Sequence, residues 1–125
     1  MARVVALVPD LLFGSKVQAA LVAAGHELQL LTGDELAARA AAPAADVLVV
    51  DLATDTVDGC SLVESMRRAG ELGTTRTLGF YSHVDVQTRD RALGAGFDLV
   101  VPRSRMNREG AELVTRLAGR SAPSA

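Results

Sequence analysis

The feature that most constrains this chain is a regular alternation between two hydrophobic periods. Residues 3–8 (Arg-Val-Val-Ala-Leu-Val) form a continuous apolar run of strand length bounded by Pro9-Asp10, the pattern of a strand buried on both faces. Residues 12–24 follow with helical spacing, Phe13, Val17, Ala20, Leu21 and Ala24 sharing one face, and Gly25 stands where such a helix stops. Residues 27–31 read as a second strand. Thr32-Gly33-Asp34 then offers capping groups for an alanine-rich helix to about Ala42, ended by Pro43. Residues 46–51 (Asp-Val-Leu-Val-Val-Asp) are the cleanest strand, and it ends on a carboxylate. A loop through Asp58-Gly59 leads to a helix over 61–69 with Leu62, Val63 and Met66 inward. Residues 77–81 make a weaker fourth strand, and 85–95 a charged helix closed by Gly96. Residues 98–101 form a fifth strand closed by Pro102, and 107–118 a final amphipathic helix.

Five strands alternating with five helices predict an α/β fold, a parallel sheet reached by right-handed crossovers and covered on both faces. Open sheets of this kind carry their sites beyond the C-terminal strand ends. The candidates there are Asp10, Asp51, the segment from Tyr81 through Ser82 to His83, and Arg103. A length of 125 residues suits one domain, placed at 1–118, with 119–125 as a small, polar, disordered tail. The 49% hydrophobic content is enough for a core without staples. Its 13 basic and 15 acidic residues are interspersed, giving a net charge of −2 and no basic stripe for a phosphate backbone, so nucleic acid is not an expected partner. No apolar run approaches bilayer length, the lone Cys60 has no disulfide partner, and the expected location is cytoplasmic.

Several catalytic readings fail on their own spacing. Ser82-His83 with Asp85 lacks a nucleophile elbow, and sequence neighbours rarely face one another in triad geometry, so hydrolase chemistry is not expected. Gly94-Ala95-Gly96 lacks the third glycine of a dinucleotide fingerprint and does not follow the first strand. The turn at 9–15 has one glycine and no Gly-Lys-Ser/Thr, which excludes a P-loop, and with 3% aromatics it offers nothing to stack a flavin. His26 and His83 provide no zinc-ligand spacing. His26 falls at a turn on the opposite sheet edge and is expected to be solvated. Cys60 precedes a helix and is expected to be a half-buried packing group. Leu11, Leu12 and Phe13 place three apolar residues beside the crevice; two should enter the core and the third remain as an apolar lip suited to a partner or ligand contact.

Asp51, followed by Asp58-Gly59 and Leu62 on five β/α units of this length, resembles the receiver domain of bacterial response regulators. The segment Ala-Leu-Gly-Ala-Gly-Phe-Asp-Leu-Val-Val-Pro-Arg, residues 92–103, is similar to that family's fourth helix end, Ala-Gly turn and fifth strand. The resemblance implies the CheY-like, flavodoxin-like topology with strand order 2-1-3-4-5, and a phosphoacceptor role for Asp51. It further implies an acidic pair after strand one for Mg²⁺, a hydroxyl after strand four, a lysine after strand five, and a switching aromatic on strand five. Counted along this chain, the acidic pair falls on Val8 and Pro9, with Asp10 one residue later. The hydroxyl position falls on Tyr81 with Ser82 beside it, the lysine on Arg103 and the aromatic on Val100; the chain's one lysine is Lys16. An Asp51–Arg103 ion pair across the empty site is then expected, since arginine pairs with carboxylates but does not replace a compact ammonium.

The expected function is a stand-alone, atypical (pseudo-)receiver: a signalling module without enzyme activity or cofactor that binds a protein partner, a histidine kinase or a separate effector, with phosphorylation weakened or absent. The family's face of helix four, strand five and helix five would serve for the partner or a homodimer. The alternative is a conventional phosphoacceptor phosphorylated at Asp51, with Mg²⁺ held by Asp10 and Asp51. A small-molecule binder at the same crevice is a third option.

Overall fold

In a computed structural model of the chain, residues 2–82 and 85–121 are described here. The order of elements is β1 (Arg3–Leu7), α1 (Leu11–Ala23), β2 (Glu27–Leu31), α2 (Glu35–Ala41) with a 3₁₀ turn at Ala42–Ala44, β3 (Val47–Asp51), α3 (Gly59–Arg68), β4 (Arg76–Tyr81), α4 (Val86–Ala95), β5 (Leu99–Pro102) and α5 (Arg103–Ser121). The strands form one parallel sheet ordered β2-β1-β3-β4-β5, the expected topology. β3 lies at its centre with all five residues buried, which is why its sequence is unbroken by polar groups before Asp51. The edge strands β2 and β5 are only half-covered.

Side chains alternate across the sheet, and the two faces carry separate cores. Val4, Ala6, Val8, Val47, Val49, Leu78 and Phe80 pack under α1 and α5 with Phe13, Leu21, Met106, Leu113 and Leu117. Val5, Leu7, Leu48 and Val50 pack under α2, α3 and α4 with Val63, Met66, Ala92 and Phe97. Asp caps the first four helices: Asp10 accepts from Leu12 N and Phe13 N, Asp34 from Ala37 N, Asp58 from Ser61 N and Asp85 from Thr88 N. This recurrent strand-to-Asp-to-helix grammar fixes each helix start at the C-terminal edge of the sheet.

Four expectations are corrected. Helix α5 begins at Arg103 rather than Asn107 and continues to Ser121, so it takes in the first three residues of the expected tail. Its apolar stripe starts only at Met106, and the polar first turn gave no periodic signal. On α1 the expected inward face loses Ala20 and Ala24, which are exposed, and gains Gly14. His26 is buried: its Nδ1 accepts from Ala2 N at 3.0 Å and its Nε2 lies 2.9 Å from Thr115 Oγ1, tying β1 to α5. Of the three apolar residues before the crevice only Phe13 enters the core, while Leu11 and Leu12 remain 68% and 81% exposed. Among the described residues no helix is long and apolar enough to cross a membrane.

Candidate functional site

The site lies beyond the C-terminal ends of β1, β3 and β4, where Asp10, Asp51, Ser82 and Arg103 are carried by four different segments. Asp51 closes β3 and is 2% exposed. It is in phase with Val47 and Val49, which places it on the α1–α5 side of the sheet. One carboxylate oxygen accepts from Ala53 N at 2.8 Å, a local turn that sets the start of the β3–α3 loop. Burial pushes its pKa above the ordinary value, opposed by that backbone bond and by the field of Arg103; the charge of Asp10 adds to the rise.

The ion pair in this crevice is Arg103 with Asp10, at 2.8 Å between Nη2 and Oδ2, in place of the expected Asp51–Arg103 pair. Arg103 is the first residue of α5, and its guanidinium carbon sits 4.2 Å from the centre of the Phe13 ring. Phe13 in turn meets Phe80 at 5.0 Å between ring centres. This stack aims Arg103 at the start of α1, where Asp10 is held by its capping bonds, and leaves Asp51 to be influenced through space alone. The Arg103 hydrogen bond is the main cause that lowers the pKa of Asp10, followed by the bond from Phe13 N.

Tyr81, expected near the hydroxyl position, is buried and alternates to the face opposite Asp51, since Phe80 is the residue paired with Asp51 across β3 and β4. Ser82, one residue further, returns to the Asp51 side and lines the crevice. His83 lies outside the described residues, so the Ser82-His83-Asp85 grouping has no geometry to report. Cys60 is buried at the start of α3, and burial raises its thiol pKa, as suits a packing group. Sequence reasoning passed over Asp58 as a site residue with partners. It accepts from Ser61 Oγ and from Arg91 Nη2 at 3.1 Å, joining α3 to α4, and the bond from Ser61 N is the chief cause of its lowered pKa. The Asp58-Gly59 pair was visible, but its partner Arg91 is 33 residues away.

The donors present do not fit a hexacoordinate divalent cation. Val8 is fully buried and apolar, Pro9 has no ligating side chain, and Asp10 divides its oxygens between two backbone N–H groups and a guanidinium. Among the described residues no group of three or more His, Cys, Asp or Glu side chains is arranged to hold a metal.

No protein-family model matches the sequence, and neither does any curated protein. Solved structures do. The receiver domain of the Francisella response regulator 1452 superposes with a TM-score of 0.83 at 18% identity, covering 98% of this chain and 100% of that one. The fold is the receiver fold. The receiver domain of the sensor histidine kinase PA1611 from Pseudomonas aeruginosa PAO1, solved with a magnesium ion in its active site cleft, superposes with a TM-score of 0.80 at 17% identity, covering 94% of this chain and 98% of that one. The receiver domain of the putative response regulator NarL from Mycobacterium tuberculosis matches at 0.75 and 24% identity, covering 94% and 96%. On this receiver scaffold Asp51 stands at a strand end in the crevice, while Arg103 on Asp10 occupies the mouth.

Proposed function

We propose that the protein is an atypical receiver, a cytoplasmic signalling module that works by binding a protein partner and in which phosphorylation at Asp51 is weakened or lost. The observation that carries this reading is the Arg103–Asp10 pair. It places a fixed cation against the one carboxylate left after β1, where a divalent metal would need to bind. Phosphoryl transfer through such a crevice depends on a metal to neutralise charge in the transition state. Asp51 is 2% exposed, and burial raises its pKa against the field of Arg103, so developing charge there depends all the more on such neutralisation.

The surface of α4, β5 and α5 is the proposed partner face, for a kinase, a separate effector or a second copy. Val86 and Leu93 stand on α4 one heptad apart, 56% and 50% exposed, and supply apolar area for such a contact. The test is a challenge with millimolar Mg²⁺ and beryllofluoride, read by amide chemical shifts over residues 85–118. Unchanged shifts are expected; a coherent set of shifts across that face would make the protein a conventional phosphoacceptor.

A further inference from the structure

A crevice of about 590 Å³ opens beside the Arg103–Asp10 pair, between the first turns of α1 and α5, and is lined by Phe13, Lys16, Ala53, Ser82, Arg103, Ser104 and Asn107. Among the described residues no acidic side chain lines it. Helical spacing brings its polar groups together: Lys16 follows Phe13 by three residues on α1, and Asn107 follows Arg103 by four on α5. Among the described residues Lys16 makes no ion pair or side-chain hydrogen bond, although most arginines are paired. Arg103 spends one nitrogen on Asp10 and keeps further N–H donors. The hydroxyls of Ser82 and Ser104 and the amide of Asn107 complete a lining able to donate to anionic oxygens from several sides. Helix α5 adds its positive end to the same volume: Pro102 precedes it and has no side-chain acceptor, whereas an aspartate caps each of the other four helices.

We propose that this crevice is a binding site for a small organic anion, a carboxylate or phosphate ester with an apolar body. Its charged end would lie against Lys16 and the α5 first turn, and its apolar body along Phe13 and Ala53. The volume is in the range of small-molecule sites and leaves room for an organic body beside the anionic group. Lys16 and the α5 turn supply the charge recognition, while Asp10 holds Arg103 in place as a wall. The site goes beyond the partner-binding reading and requires neither metal nor phosphorylation of Asp51.

The test is a metal-free NMR titration of the intact chain with phenylphosphonate, benzoate and, as the neutral control, benzyl alcohol. Neither anion can donate a phosphoryl group, so the outcome is separate from that of the beryllofluoride challenge. Saturable shifts are expected at Ala53, Ser82 and residues 103–107 with at least one anion and not with benzyl alcohol. Affinity should fall several-fold in Lys16→Gln and also with added salt. Stronger binding of phenylphosphonate would identify a phosphate-type ligand, and stronger binding of benzoate a carboxylate. Absence of saturable shifts with both anions would overturn the proposal. Affinities unchanged in Lys16→Gln would do the same; because Lys16 is exposed and unpaired, that variant should keep the wild-type fold.

Discussion

Asp51 and His26 show at single-residue resolution what burial does to a polar group with few partners. Because burial raises the pKa of Asp51, the folded state holds its proton more tightly than the unfolded chain does. The stability this contributes is complete below the ordinary value of 3.8 and is lost as pH rises through the folded value, so the ionised form destabilises the fold at neutral pH. Asp51→Asn keeps an oxygen for Ala53 N and removes the charge. It should melt at or above the wild-type temperature at neutral pH, with the difference fading at about pH 4 and below, where the wild-type carboxyl is also neutral. A lower melting temperature at neutral pH would mean that Asp51 has a charged partner after all. His26 is the reverse case, a buried ring satisfied on both nitrogens. Nδ1 accepts from Ala2 N, so Nε2 carries the hydrogen and donates to Thr115 Oγ1, which donates to Ala111 O. His26→Phe strands the buried Ala2 N–H and should lower stability by about 1–3 kcal/mol in urea denaturation.

Helix ends dominate at the scale of the element. Aspartate caps set where α1 to α4 begin, and glycines in the left-handed region mark turns that follow helices, among them Gly25 at φ 89° and Gly96 at φ 102°. The two turns differ in what surrounds them. A β-carbon at Gly25 would meet nothing within 4 Å, whereas one at Gly96 would lie 2.6 Å from Cδ of Arg67. That arginine donates to Gly96 O and to Asp98, tying α3 to the start of β5. Gly25→Ala should therefore cost only its backbone strain, about 1–2 kcal/mol. Gly96→Ala should cost more, because Arg67 must also move and give up its bonds to Gly96 O, Thr77 and Asp98; thermal melts of the two variants compare them directly. Equal losses would show that Arg67 gives way freely.

The whole molecule is a sheet with two cores and one crevice edge, and on the proposed receiver reading any switching depends on whether that edge can take up two arrangements. A switch needs an element whose equilibrium an input biases. Val100 on β5 is a short, half-buried branched side chain without a ring to swing. Arg103 is held between Asp10 and the Phe13–Phe80 stack. We expect one dominant conformation, seen as flat relaxation-dispersion profiles over residues 85–118 in the wild-type protein. Millisecond exchange confined to α4, β5 and α5 would instead reveal a second populated state.

The strand and helix succession was legible from the residues alone, because parallel strands buried on both faces must be continuously apolar and the helices between them must carry one apolar stripe. Aspartate and glycine marked the ends for local reasons, through bonds to N–H groups two or three residues away and a φ that only glycine adopts cheaply. The position of Asp51 at a buried strand end was equally local, following from the length of β3. Contacts between distant segments were not legible. Nothing near Arg103 in sequence says that it turns to Asp10, 93 residues away, in preference to Asp51; that choice comes from the early start of α5 and the ring of Phe13 beneath the guanidinium. His26 looked like a solvated turn residue because Thr115, its partner on α5, lies 89 residues downstream. Tyr81 was a plausible hydroxyl by counting, but alternation along β4 gives the Asp51 face to Ser82. Periodicity and capping act within a few residues, so the sequence by itself determined the elements and their ends. Which charge meets which across the crevice depends on packing between segments far apart in the chain, and only the tertiary structure decided it.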